Sequence, residues 1–196
     1  LLDKNQLKEL WGDEYSNKAE IVQKAVKETE GLVMTFNKKP IDARFHDTCG
    51  GSTENSESVI SREVVYLRRV LCDYCTESPN WDNRKSIPIS EIEEKLNIRF
   101  PSLKPSLKTS IENFFDDIKR DEYGRVISIK VAGKEFKGTD MSELLGLDST
   151  RFSFSPAVIT FVTRGKGDGL GLCQYGGNQM AIEGKSYMEI LNYYFT

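Results

Sequence analysis

Apolar positions recur at helical spacing over residues 17–30, where Ile21, Val22, Ala25, Val26 and Thr29 form one stripe behind Ser16 as N-cap, and Gly31 fits the stop. The period then falls to two. Residues 31–36 and 41–46 read as strands joined by a short turn over 37–40, with Ile41, Ala43 and Phe45 on a buried face and Asp42, Arg44 and His46 on the polar one. Farther on, 90–97 is a short helix opened by a Ser90/Glu93 capping box, and 106–120 is a second helix, apolar at Leu107, Ile111, Phe114, Phe115 and Ile118. The surrounding stretch 78–120, rich in Pro, Ser, Asn and charge, reads as a helical insertion or small subdomain. Alternation over 125–131 with 134–136 makes a hairpin across Gly133, and 140–145 is a helix ended by Gly146. Residues 151–154 and 157–163 are strands, and 178–183 and 186–193 are helices, the last behind a Ser186/Glu189 capping box. Strands and helices alternate without a regular βαβ rhythm. The expected class is α+β, a mixed or antiparallel sheet core with packed helices in a single domain over 1–196.

Composition excludes several classes. With 38% hydrophobic residues and 29% charged ones in 196 residues, the chain has material for a real core. Lys and Arg number 27 against 30 Asp and Glu, a net charge of -3, and a dedicated nucleic-acid binder would carry a basic surplus instead. No apolar run is long enough to span a bilayer. The first residue is Leu and no leader is recognisable, so the chain is expected to be a piece without its native upstream part.

Candidate chemistry starts with the cysteines and the single histidine. His46 and Cys49 form H-x-x-C, Cys72 and Cys75 form C-x-x-C, and Cys173 lies far away in GLGLCQYGG. Two ligand pairs with two-residue spacers suit a tetrahedral zinc ion, because each spacer lets two side chains of one turn converge at about 2.0–2.3 Å from the metal. His46, Cys49, Cys72 and Cys75 are the preferred ligands, with Cys173 a rival for one place, and four protein ligands would make the zinc structural. A redox pair at Cys72/Cys75 or two disulfides are the alternatives.

Two further motifs stand out. Gly165, Gly167, Gly169 and Gly171 alternate, which strips one face of an extended segment of side chains and admits another backbone or a ligand such as a sugar ring. Gln174 and Tyr175 follow at once, an amide and a phenol suited to sugar hydroxyls and amides. The run CGGSTENSE is a polar loop that the zinc would hold rigid; it carries Ser52, Thr53 and Glu54, with a solvated loop as the bland reading.

These loops carry a resemblance. Residues 25–59, GRVISIKVAGKEFKGTDMSELLGLDSTRFSF and GKGDGLGLCQYGGNQMAIEGKSYMEILNYYF closely resemble stage II sporulation protein D, and YLRRVLCDYC looks like its clostridial branch. The resemblance implies a peptidoglycan lytic transglycosylase. Such an enzyme cleaves between N-acetylmuramic acid and N-acetylglucosamine to leave a 1,6-anhydro end, during engulfment of the forespore and with a sporulation amidase as partner. It implies an extracytoplasmic, membrane-anchored protein facing the space between mother cell and forespore, and it sets Ser52, Thr53, Glu54, Gln174 and Tyr175 along the glycan groove. The family's catalytic glutamate lies in a segment upstream of Leu1, so no residue of this chain inherits that role. Family members often have His at the position of Asp168 and Ser at that of Cys173. A non-catalytic peptidoglycan-binding or scaffold module is the alternative function.

Overall fold

The computed structural model describes residues 2–100, 115–155 and 159–195, which divide into two compact units, Leu1–Asp42 and Ala43–Thr196. In the first unit, α1 (Lys4–Trp11) starts at Asp3, whose carboxylate accepts from the Asn5 and Gln6 amides while the Gln6 side chain returns the bond. A 3-10 turn, Gly12–Glu14, runs straight into α2 (Tyr15–Glu28), so Ser16 lies inside the helix and is not its cap. No residue of either helix is buried, and the Ile21, Val22 and Val26 stripe stands exposed. Of the expected strand over 31–36 only β1 (Thr35–Phe36) forms, and its partner β2 (Lys39–Pro40) falls in the expected turn, while the expected strand over 41–46 keeps only Phe45–His46. Asn37 and Lys38 both take positive φ, the twist a two-residue hairpin turn needs.

The second unit holds the main core. β4 (Asp82–Ser86), β8 (Phe152–Ser155) and β9 (Thr160–Arg164) form one antiparallel sheet in the order β4-β9-β8. β5 (Phe115–Arg120), β6 (Val126–Val131) and β7 (Lys134–Lys137) form a second, in sequence order. With helices α4 (Ile89–Leu96) and α5 (Gly138–Leu145) they enclose one apolar cluster in which Ile92, Ile129, Met141, Leu145 and Phe161 are wholly buried. Phe115, Phe154 and Phe161 stack there, with Phe115 and Phe154 centroids 4.5 Å apart. A shorter parallel pair, β3 (Phe45–His46) with β10 (Leu172–Cys173), lies outside these sheets. The chain also forms α3 (Ser56–Ile60), α6 (Gln174–Ile182) and α7 (Tyr187–Tyr194). The observed class is α+β, as expected.

Two local expectations change. Residues 106–114 of the expected helix lie outside the described residues, and Phe115–Arg120 is a strand. Its register slips between Asp116 and Lys119 opposite Lys130 and Ser128, and Asp117 takes φ 46°, a bulge that inserts one residue. The insertion turns both Phe115 and Ile118 toward the core, so a strand displays the three-residue spacing of a helix. At α4 no side chain caps the helix from Ser90; Pro88 precedes it, and the Glu93 carboxylate instead accepts from the Phe100 amide at 2.8 Å. The Ser186/Glu189 capping box is present in full at α7.

The bulge makes a stability prediction. Asp117→Gly and Asp117→Val both lose the 2.7 Å contact to Lys130, so their difference isolates the backbone. We expect the valine variant to be about 1–2 kcal/mol less stable than the glycine variant in urea unfolding, because a β-branched residue is strained at positive φ. Equal midpoints would remove the bulge.

Candidate functional site

Three stretches far apart in sequence converge on one buried loop. Parallel pairing of β3 with β10 sets Cys173 opposite His46. Thr48 and Lys166 exchange backbone hydrogen bonds of 2.9 and 2.7 Å, and the Cys72 amide donates to the Gly51 carbonyl at 3.0 Å. Cys72 and Cys75 flank the 3-10 turn Asp73–Cys75, and Cys173 is the N-cap of α6.

The result is a quartet. The sulfurs of Cys49, Cys72, Cys75 and Cys173 all lie within 4.8 Å of one another, and all four residues are fully buried. Cys49 and Cys75 Sγ are 3.3 Å apart, Cys72 and Cys75 Sγ 4.0 Å, and none is in a disulfide. Four thiolates about 2.3 Å from a tetrahedral ion would be separated by about 3.8 Å, so the quartet has the dimensions of such a site. Soft sulfur donors in this number suit zinc or iron. Hydrogen bonds from Cys173 and Cys49 hold Cys72 and Cys75 below the ordinary thiol range, while the contact with Cys173 pushes Cys49 up. Metal binding requires all four as thiolates and would release their protons.

His46 is not a member. Cys173 stands in the fourth place, and the alternation over 41–46 is inverted, with Phe45 64% exposed and His46 buried. Only two residues are in strand, and their facing is set by the pairing with β10 and by Gly167, where a Cβ would stand 2.6 Å from His46 Cβ. His46 Nδ1 is 3.0 Å from the Leu170 carbonyl, and burial pushes its pKa down against that bond, so the neutral ring donates from Nδ1. Nε2 is buried without a hydrogen-bond partner.

The alternating glycines serve the same loop. They are not an extended face: each has positive φ. A Cβ at Gly165 would stand 2.6 Å from the Thr48 carbonyl, and one at Gly171 would collide with the Arg44 carbonyl. Of the two readings of this motif, the close approach of another backbone is the one the structure displays.

Ser52, Thr53 and Glu54 are buried too, and they are spent internally. Ser52 Oγ accepts from Arg151 at 2.9 Å, and Thr53 Oγ1 accepts from the Val70 amide at 2.8 Å. Both Glu54 carboxylate oxygens accept from Arg69 Nη2 at 2.9 Å, and Arg125 Nε lies 2.8 Å from Oε1 as an ion pair outside hydrogen-bond geometry. Arg69 also reaches Asp121 at 2.7 Å and covers the Tyr123 ring at 3.9 Å. Arg125 and Arg151 donate to the Cys49 and Gly50 carbonyls. Against this network opens a cleft of about 1050 Å³ of mixed character, bordered by Glu54, Glu57, Asp121, Arg125 and Asp168 and by apolar Ile127 and Phe136 among others.

Comparison with known proteins agrees with the motifs. No family model matches the chain. It is 34% identical over 194 residues to stage II sporulation protein D of Bacillus subtilis and 32% identical to that of Bacillus amyloliquefaciens, each alignment covering 98% of the chain and 54% of the relative. The chain belongs to the stage II sporulation protein D family. An uncharacterized protein of Brachyspira hyodysenteriae is 29% identical over 181 residues, 89% of the chain and 47% of that protein. The chain thus spans about half the length of the curated relatives it matches. The named relatives establish the family, not its clostridial branch.

For a stage II sporulation protein D domain, the groove residues expected from the motifs divide. Gln174 is exposed at the start of α6, and the half-buried Tyr175 donates its hydroxyl to the Glu77 carbonyl at 3.0 Å. Ser52, Thr53 and Glu54 are all buried, and of the three only Glu54 borders the cleft. Arg69, Arg125 and Arg151, which hold that loop, all lie in segments that carry the resemblance, but no periodicity singles them out as its partners.

Removing Arg69 leaves the buried Glu54 carboxylate with one cation. We expect Arg69→Ala to destabilise the protein by about 3–5 kcal/mol in denaturant unfolding, with Glu54→Gln in the same background recovering part of the loss. Additive losses would show that the two side chains are not coupled.

Proposed function

We propose that the chain is part of a peptidoglycan lytic transglycosylase of sporulation engulfment, and that its four cysteines hold one structural zinc ion. The observation that carries the reading is the 34% identity to stage II sporulation protein D over 98% of the chain. The cleft supports it: carboxylates, hydroxyls and an arginine, interspersed with apolar positions such as Ile127 and Phe136 along about 1050 Å³, suit the hydroxyls, amides and ring faces of glycan sugars. Peptidoglycan is the proposed substrate and a sporulation amidase the proposed partner, on the extracytoplasmic face. Among the described residues no helix is long and apolar enough to cross a membrane.

The proposed reaction needs one carboxylic acid. It protonates the glycosidic oxygen as that bond breaks; the resulting carboxylate takes the C6 hydroxyl proton, and that oxygen closes on the anomeric carbon to give the 1,6-anhydro end. No water is activated, so the second carboxylate of a hydrolase is not required. Glu54 is poorly suited to the task. Both of its carboxylate oxygens are taken by Arg69, and Arg125 lies 2.8 Å from Oε1, so neither oxygen is free to face a glycosidic oxygen. The acid is proposed to come, as the family resemblance implies, from upstream sequence, and Gln174, exposed at the start of α6, is proposed as a glycan contact.

Cys49, Cys72, Cys75 and Cys173 fit the ion by donor type and spacing. When bound, zinc would offset two of the four thiolate charges and tie three chain segments together, and four protein ligands leave no position for substrate.

Two experiments test the reading. Purified peptidoglycan is digested with the 196-residue chain and with a form carrying native upstream sequence, and anhydro-muropeptides are sought by mass spectrometry. Products from the longer form alone are expected; products from both would move the acid into this chain, and products from neither would favour a binding module. Elemental analysis should find about one zinc per chain, lost in Cys173→Ser and retained in His46→Gln, with chelation lowering thermal stability. Loss in His46→Gln with retention in Cys173→Ser would restore the histidine-containing set.

A further inference from the structure

The quartet has a neighbour that a structural metal does not by itself demand. Tyr194, at the end of α7, is fully buried, and its hydroxyl stands 3.1 Å from Cys72 Sγ. Four thiolates around a divalent ion keep two surplus negative charges, and a buried site must spread that charge onto hydrogen-bond donors. Two backbone donors are in place: the amides of Cys49 and Gly176 each point at Cys173 Sγ at 3.4 Å. Tyr194 supplies the corresponding contact for Cys72.

Gly176 keeps this contact open. A Cβ there would stand 2.7 Å from Cys72 Sγ and would press on the Tyr194 hydroxyl itself, so the missing side chain leaves the line from oxygen to sulfur clear. The adjacent Tyr193 is a natural contrast, because its hydroxyl goes to the Leu71 carbonyl and not to sulfur.

We infer that Tyr194 is a positioning residue for the metal: it donates its hydroxyl proton to the Cys72 thiolate, slows metal loss, and makes docking of α7 depend on the occupied site. The direction of the bond follows from the chemistry, since a metal-bound thiolate has no proton to give and can only accept. This inference rests on the metal reading above.

The test uses the whole chain as wild type, Tyr194→Phe and Tyr193→Phe, each loaded with zinc and separately with cobalt(II). Zinc release to excess 4-(2-pyridylazo)resorcinol should be about tenfold faster in Tyr194→Phe, with about one metal per chain still bound before the challenge. Its sulfur-to-cobalt charge-transfer band should move to lower energy, because a thiolate without the hydrogen bond gives up its electron more readily. Tyr193→Phe should match wild type in both. If Tyr194→Phe does not fold, wild type loaded with ¹¹³Cd decides the matter: a slowly exchanging tyrosine hydroxyl proton coupled to the metal supports the donor, and its absence overturns it. Metal-bound wild type and Tyr194→Phe with equal release rates and the same band would overturn the inference alone. Wild type that takes up no metal would overturn the metal reading and the inference with it.

Discussion

The loop from His46 to Ser56 runs through the interior, and most of the second unit is arranged to permit that. A loop is normally at the surface because its amides and carbonyls need water; buried, each needs a partner from the protein. Here the partners come from three directions. The 165–171 stretch approaches closely enough for Lys166 to exchange backbone bonds with Thr48 and for the Gly169 carbonyl to accept from the Glu54 amide, an approach that the missing side chains of Gly165 and Gly167 allow. The 70–72 stretch satisfies Gly51 and Thr53, and the guanidinium groups of Arg125 and Arg151 take the Cys49 and Gly50 carbonyls. Those arginines bring charge with them, and Glu54 balances it. A buried carboxylate and its arginines are thus consequences of burying the loop.

The same constraint accounts for the second cluster of buried residues. The main core is aliphatic and aromatic and is closed by two sheets and two helices. The smaller one contains four cysteines with Met180, Ile190 and Tyr194, a limited apolar area for holding α6 and α7 in place. Cross-linking its segments through the sulfurs would supply what burial alone does not, since fixing distant points of a chain lowers the entropy of its unfolded state.

What the sequence disclosed follows range. The Ser186/Glu189 capping box, Gly146 after α5 and the hairpin over Gly133 were all legible, because each depends on neighbours a few residues away. The C-x-x-C pair and Cys49 were legible for the same reason. Ser90 shows the limit of local reasoning: Glu93 satisfied the pattern but its carboxylate was claimed by Phe100. The choice between His46 and Cys173 depends on a parallel pair that joins Phe45–His46 to the distant Leu172–Cys173, and no spacing near His46 reports that. Phe115 and Ile118 misled for a different reason, since a bulge gives a strand the spacing of a helix.

The geometry also separates holding from acting. The groups nearest the metal-sized site are buried and fully engaged with one another, and a tetrahedral ion with four protein ligands has nothing left to offer a substrate. Yet Cys173 is the N-cap of α6, and the residue after it, Gln174, is exposed. The position of that first helical turn is thus set from the inside by sulfur and read from the outside by whatever meets the amide. On the reading proposed above, the metal would act on glycan cleavage by fixing where α6 begins, and a variant that loosens the sulfurs would disturb substrate placement before any change in chemistry. The interior loop, the glycine stretch and the cysteines are in this sense one device, which turns contacts between remote segments into a fixed start for α6.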